Sequence, residues 1–294
     1  MLRRFIYRKI KLIYKFIYQT KASKREEFFY KNVIPQKTIE EVEEDVQEWS
    51  QKKNEEIESL RENEKYRKEF LQNFSHEIKT PIFSIQGYLN TLLSGALEDE
   101  EMSVKFIMNA ARNVDRMVNL VNDIDEISRL ESGTQPLHKT HFIIQELIKD
   151  VFESIQMQTT EKSIRCSIKK GCEAPVTVFA DQEKIRQVIT NLVVNAIKYG
   201  KQNGHITASI YRTDEMHALI EISDDGIGIS EEHLPRIFER FYRTDTGRSR
   251  NSGGTGLGLA ICKHIIEAHS QTIHIRSKPA VGTTVGFTLQ IKPK

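Results

Sequence analysis

From Phe74 onward the apolar residues recur at steps of three and four, through Ile78, Ile82, Ile85, Leu89 and Leu92, which predicts one face of an amphipathic helix. A turn is expected between Gly95 and Glu100. The same spacing then resumes at Ile107, Ala111, Val114, Val118 and Val121 and runs to the neighbourhood of Leu130. Two such helices cannot bury their stripes alone, whereas two copies of the hairpin can, as a four-helix bundle, so an obligate homodimer is expected. Upstream, Ile39, Val42, Val46 and Trp49 follow coiled-coil spacing until Lys53 and Glu56 interrupt it. Either a signalling linker whose register shifts or a plain spacer helix has this pattern. Earlier still, Leu2, Ile6, Ile13 and Ile17 form one stripe and Arg4, Arg8, Lys11 and Lys15 the opposite one. A helix lying on an anionic membrane surface is arranged so, and so is a helix packed on its dimer mate or the stub of an upstream span.

After Ser132-Gly133 the period changes. Alternating stretches at 136–142, 163–169, 176–180, 205–212, 218–223, 272–277 and 283–290 predict seven strands, interleaved with helices near 143–160, 181–199 and 257–269. The expected fold is therefore an α-helical hairpin, dimerising into a four-helix bundle, followed by an α+β sandwich with one mixed sheet and its helices on one face. Four parts are expected: a basic amphipathic segment at 1–35, a coiled-coil-like linker at 36–63, the hairpin at 64–132 and the α+β domain at 133–294. No receiver-like or DNA-binding module is expected after the last strand.

Composition narrows the class. A chain of 294 residues, 38% hydrophobic and 29% charged, suits a folded, helix-rich protein with room for two modest domains. The net charge of +2 points to no nucleic-acid partner. Cys166, Cys172 and Cys262 make an odd set without metal-ligand spacing and read as reduced thiols in a cytosolic domain. No run of about 18 apolar residues is present, so no bilayer-spanning helix is expected. Nor does Met1-Leu2-Arg3-Arg4 begin a signal peptide.

Candidate chemistry starts at His76. Two positions past Phe74 is about 200° round a helix, so His76 points outward, with Glu77 beside it and Thr80 one turn on along the same face. An outward histidine with a carboxylate to take its ring proton can act as a nucleophile; an ordinary surface histidine has the same local pattern. The α+β domain holds four stretches suited to a phosphate ligand. Asn191 and Asn195, at i and i+4 with Lys198 one turn further, put two amides and an ammonium on one helix face, a match for a hard divalent cation and a phosphate. Asp224-Asp225-Gly226-Ile227-Gly228 follows a strand, where a carboxylate can accept from an amine and glycines let backbone approach a flat ring. Residues 236–243 carry Phe238, Phe241 and Arg243, ahead of a polar stretch at 244–252 that reads as a lid. Gly253-Gly254-Thr255-Gly256-Leu257-Gly258 runs into a helix, offering backbone amides to phosphate.

Taken in order, these stretches resemble the sensor histidine kinases of bacterial two-component systems, whose ATP-binding fold is shared with gyrase, Hsp90 and MutL. His76 to Pro81 looks like the H box, Asn191 to Tyr199 the N box, Asp224 to Gly228 the G1 box, Phe238 to Phe241 the F box and Gly254 to Leu259 the G2 box. The likeness covers the chain from about Glu64 to Ile291. It implies that His76 accepts a phosphoryl group from ATP, that Glu77 holds its ring proton and that Asn195 carries Mg²⁺. Asn191 and Lys198 would then lie near the phosphates, Tyr199 beside the nucleotide, and Asp224 on the adenine amine, with Arg243 neutralising phosphate charge. Gly226, Gly228, Phe238, Gly254, Gly256, Leu257 and Gly258 complete the implied nucleotide set. The resemblance further implies transfer to a receiver-domain aspartate of a response regulator, and a phosphatase role for Thr80. The position of Asn191 is a glutamate base in gyrase-like ATPases, and an amide cannot activate water, which favours transfer over hydrolysis. A non-catalytic ATP-gated dimeric scaffold is the alternative. The expected location is the cytoplasm, with the inner face of the cytoplasmic membrane as the surface that 1–35 would meet.

Overall fold

The computed structural model describes residues 39–133, 136–244 and 255–291; the segment 1–35, the greater part of the expected lid and Gly254 lie outside the described residues. The chain divides between Lys68 and Glu69 into two units. The described part of the first, from Ile39, is the start of α1 (Ile39–Leu93), with Glu64 and Lys68 paired at 2.8 Å along an exposed face. No helix among the described residues is long and apolar enough to cross a membrane.

The second unit opens with the remainder of α1 and a turn at Ala96–Glu98, then α2 (Glu100–Glu131). Asp99 starts α2 by accepting the amide of Met102 at 3.0 Å, an N-cap that satisfies one of the first-turn donors. Within the hairpin Leu92, Leu120 and Ile127 are buried, and Tyr88 packs on Phe106 at 5.8 Å. The stripe expected on the second helix behaves differently: Ile107, Val114, Val118 and Val121 are all exposed in the single chain. Together with Ile82 and Ile85, the last three line an apolar groove. Pro81 lies inside α1, where its missing N–H leaves the Glu77 carbonyl without the usual donor.

The α+β part runs β1 (Lys139–Ile143), α3 (Ile144–Ser154), α4 (Gln156–Glu161), β2 (Arg165–Ile168), β3 (Thr177–Asp181), α5 (Gln182–Tyr199), β4 (His205–Arg212), β5 (His217–Asp224), α6 (Gly258–Ala268), β6 (Ile273–Lys278) and β7 (Gly282–Gln290). All seven expected strands are present, but they do not make one sheet. β1 and β3 form a separate antiparallel pair, and the other five are ordered β2-β4-β5-β7-β6, parallel only between β2 and β4. Alternation marks a half-buried strand and says nothing of which neighbour completes its ladder, which is why the partition was not readable.

The larger sheet follows the two-residue period. Ile206, Ala208 and Ile210 on β4, Ala218, Ile220 and Ile222 on β5, and Val285, Phe287 and Leu289 on β7 point into the core. Its other face is polar, with Glu221 paired to Arg276. On α5 the buried set Ile185, Val188, Ile189, Leu192, Val193, Ala196 and Ile197 keeps three-four spacing, so Asn191, Asn195 and Lys198 fall on the opposite side.

A buried histidine ties α6 to the start of α5. His269 accepts the Asp181 amide on Nε2 at 3.0 Å and gives its Nδ1 proton to the Ile265 carbonyl at 2.8 Å, so only the neutral ring fits. Asp181 in turn caps α5 through the Lys184 amide at 3.2 Å. Burial, ahead of the nearby Lys139, holds the His269 pKa below the ordinary value for histidine. The unfolded chain therefore binds the proton more readily, and this contribution to stability is complete above a pH of about 6.5 and is lost as pH falls from there through the lowered native value. Thermal unfolding from pH 7.5 down to 5.5 should show the melting temperature dropping, with a smaller drop in His269→Gln; equal slopes would contradict the assignment.

Candidate functional site

The polar face of α5 forms one wall of a cavity of about 570 Å³. Asn191, Asn195, Lys198 and Tyr199 all line it, which their spacing on one side of a helix requires once the other side is core. The Asn191 amide donates to the Gly258 carbonyl at 3.5 Å, and Lys198 Nζ lies 5.0 Å from the centre of the Tyr199 ring. The last turn of α5 is held by Lys162, whose ammonium donates to the Ile197 and Lys198 carbonyls at 2.8 and 2.9 Å. That contact satisfies carbonyls that a helix end otherwise leaves open.

Asp224 reaches the cavity from the end of β5. Its Oδ1 accepts the Gly226 amide at 2.9 Å and the Thr283 amide at 3.3 Å. Burial raises its pKa above the usual carboxylate range, and the two amide bonds work the other way. Both amides fall on Oδ1, which leaves Oδ2 to accept from a ligand amine. The glycines after it have a reason other than ligand approach. A Cβ on Gly226 would lie 2.5 Å from the Tyr199 carbonyl, and one on Gly228, at φ +70°, 2.1 Å from the Lys278 carbonyl. Both hold backbone against backbone. Gly258 differs, since a Cβ there would meet only the Asn191 side chain, at 3.8 Å, on the cavity side.

Arg243, Gly228, Gly256 and Gly258 also line the cavity. Gly226 supports Asp224 from behind, Leu257 is wholly buried, and Phe238 packs half-buried against the core, so these three do not form the cavity wall. Tyr242, which the sequence reading passed over, does line it and is fixed by His233 at 2.8 Å.

The opposite wall is α2, through Arg112, Asp115, Arg116, Asn119 and Asp123. Sequence reasoning missed this stripe, although its spacing of three and four was there to be seen. Asp123 accepts the Thr255 hydroxyl at 3.3 Å, and burial raises its pKa. Further along, Glu126 pairs with Lys184 and Gln187 of α5, and Glu131 with Arg240. His76 is exposed on α1 and is not part of the cavity wall. Its neighbour Glu77 is bound to Arg116 at 3.0 Å, and Thr80 gives its hydroxyl proton to the His76 carbonyl at 3.1 Å. Phe74 and Ile78, on the inward side of this turn, pack against the core.

The donor set suits a nucleoside triphosphate with a hard cation. Amide oxygens ligate Mg²⁺, which takes few protein ligands and completes its shell with phosphates and water. No cluster of three or more His, Cys, Asp or Glu side chains suited to a metal occurs among the described residues.

Residues 180–293 match the family model for the histidine kinase-, DNA gyrase B- and HSP90-like ATPases, and residues 66–133 that for the histidine kinase A phospho-acceptor domain. The chain is 37% identical over 227 residues to the sensor histidine kinase WalK of Bacillus subtilis, covering 77% of this chain and 37% of the relative. It is 35% identical over 230 residues to the phosphate regulon sensor protein PhoR of Pseudomonas aeruginosa, covering 78% and 51%. Among solved structures, histidine kinase ThkA in complex with the response regulator protein TrrA matches with a TM-score of 0.63 at 27% identity, over 82% of this chain and 66% of that one. The chain thus spans 37% to 51% of the length of these two curated relatives. A match to the histidine kinase A phospho-acceptor domain is thus followed by one to the histidine kinase-, DNA gyrase B- and HSP90-like ATPases, and along both the chain is similar to sensor histidine kinases.

Proposed function

We propose that the chain binds ATP in the cavity between α5 and α2, moves the γ-phosphoryl group to His76 and passes it to an aspartate on a response regulator. The observation that carries this reading is the convergence of Asn191, Asn195, Lys198, Asp224 and Arg243 on one cavity whose facing wall belongs to the hairpin that bears His76. Asp224 selects an amine-bearing base through Oδ2, and Tyr199 flanks the nucleotide. Lys198 and Arg243 balance phosphate charge, where positioning and charge neutralisation supply most of the catalysis. Asn195 would hold the divalent cation, which supplies neutralisation of the phosphate oxygens. Because Asn191 is an amide, the site has no base there to activate water. Glu77 takes the ring proton of His76 as the P–N bond forms and the bond to the β-phosphate oxygen breaks. His76 is exposed and outside the cavity wall, so transfer needs the catalytic half to move on the hairpin.

The exposed stripe of Val114, Val118 and Val121 and the groove it lines suit a second copy of the hairpin, the homodimer expected from the pattern. The linker at 36–63 and a membrane-surface role for 1–35 belong to the same proposal. Thr80 is assigned to the reverse reaction. Its hydroxyl proton is committed to the His76 carbonyl, so its lone pairs are left to accept from a water aimed at the regulator's acyl phosphate. A time course with purified chain, ATP and candidate receiver domains tests both steps. Label should pass from chain to one receiver, and Thr80→Ala should keep that transfer while slowing receiver dephosphorylation about tenfold, a positioning effect. Absence of transfer to any receiver contradicts the proposed function; an unchanged dephosphorylation rate contradicts the role of Thr80.

A further inference from the structure

One guanidinium reaches both the cavity and the carboxylate beside His76. Arg116, on α2, binds Glu77 on α1 through Nη2 at 3.0 Å and also lines the cavity. The side chains are 33% and 25% exposed, which separates this pair from the solvated surface pairs that contribute little. Glu77 occupies a single Nη2, and a guanidinium has five donors in a fixed planar fork, so the same group can serve a second oxyanion. Of the residues that α2 gives to the cavity lining, Asp115 and Asp123 are acidic and Arg112 and Arg116 are the cations that a phosphate on this side can meet. Arg112 makes a long contact to Asn109 at 3.4 Å, within its own helix.

We propose that Arg116 bridges the two halves of phosphoryl transfer, holding Glu77 in place for the His76 ring proton while its remaining N–H groups meet the terminal phosphate. This rests on the function proposed above. In the step itself the bond from the γ-phosphorus to the β-phosphate oxygen breaks, the P–N bond to His76 forms, and the displaced ring proton goes to Glu77. Arg116 exchanges no proton or electrons; it fixes the acceptor carboxylate and the phosphate relative to each other.

The test uses the whole chain as wild type, Arg116→Ala, Arg116→Lys, Glu77→Gln and the double variant Glu77→Gln/Arg116→Ala, with labelling of His76 followed against ATP concentration. Arg116→Ala should lower kcat by roughly ten- to hundredfold, the scale of a lost charge-assisted bond. KM for ATP should move less than about threefold, since Asn195, Lys198 and Asp224 still hold the nucleotide. Lysine keeps the charge but not the fork, so Arg116→Lys should stay folded and recover only part of the rate. Because both changes remove the placed Glu77 carboxylate, adding Glu77→Gln to Arg116→Ala should cost less than Glu77→Gln costs in the wild type. Wild-type kcat in Arg116→Ala, full recovery by lysine, or losses that multiply in the double variant would each overturn the inference. Wild-type chain that forms no phosphohistidine overturns the underlying function as well, and the wild-type lane alone distinguishes that outcome.

Discussion

His76→Gln should bind ATP as tightly as the wild type and take up no label from γ-labelled ATP. The side chain is exposed on the middle of α1, away from the cavity wall, so its replacement removes neither a core contact nor a nucleotide contact. Glutamine is at least as good a helix former as histidine, so the hairpin should melt where the wild type does. What disappears is the ring nitrogen that would accept the phosphoryl group. Titration calorimetry with ATP and a labelling assay on the same preparation check the two halves together. Label persisting in the variant would place the acceptor elsewhere, whereas lost ATP binding would mean that the hairpin shapes the cavity more than its geometry indicates.

Asn195→Ala should reduce autophosphorylation by about a hundredfold or more, because it removes the amide assigned to the cation beside the phosphates. The residue is only partly buried on the polar side of α5, opposite the core stripe. Alanine is the stronger helix former, by about 0.7 kcal/mol at most, so the melting temperature should hold or rise slightly. Activity and stability thus move apart, which a general loss of structure cannot imitate. Calorimetry with and without Mg²⁺ should show that the metal no longer tightens nucleotide binding. Autophosphorylation within about threefold of wild type would move the cation to another ligand.

Much of this architecture follows from periodicity, because the three-four stripe on α5 and the alternation on β4, β5 and β7 each have one side that must be buried. The separate β1–β3 pair was hidden, since alternation is the same whichever strand supplies the ladder. At the site, Asn191, Asn195 and Lys198 were legible as a set because one helix face explains them all. Arg112, Arg116, Asn119 and Asp123 have equally regular spacing, yet a charged helix stripe ordinarily faces water, and only the packing of α2 across from α5 turns it into a cavity wall. Phe238 read as a ligand contact from its motif, and in the fold it packs partly buried against the core and does not line the cavity. Likewise the carboxylate of Glu77 read as a partner for its sequence neighbour His76, and in the fold it pairs with Arg116, thirty-nine positions away.

The proposed reaction moves the γ-phosphoryl group of ATP onto a histidine of the same chain type. Parallel incubations of the wild-type chain with α- and γ-labelled ATP, followed by acid and alkali treatment of the isolated protein, test it most directly. Label should come from the γ-position alone, survive alkali and be lost in acid, as a phosphorus–nitrogen bond requires. Label that survives acid, or ATP hydrolysed with none bound to protein, would contradict the account.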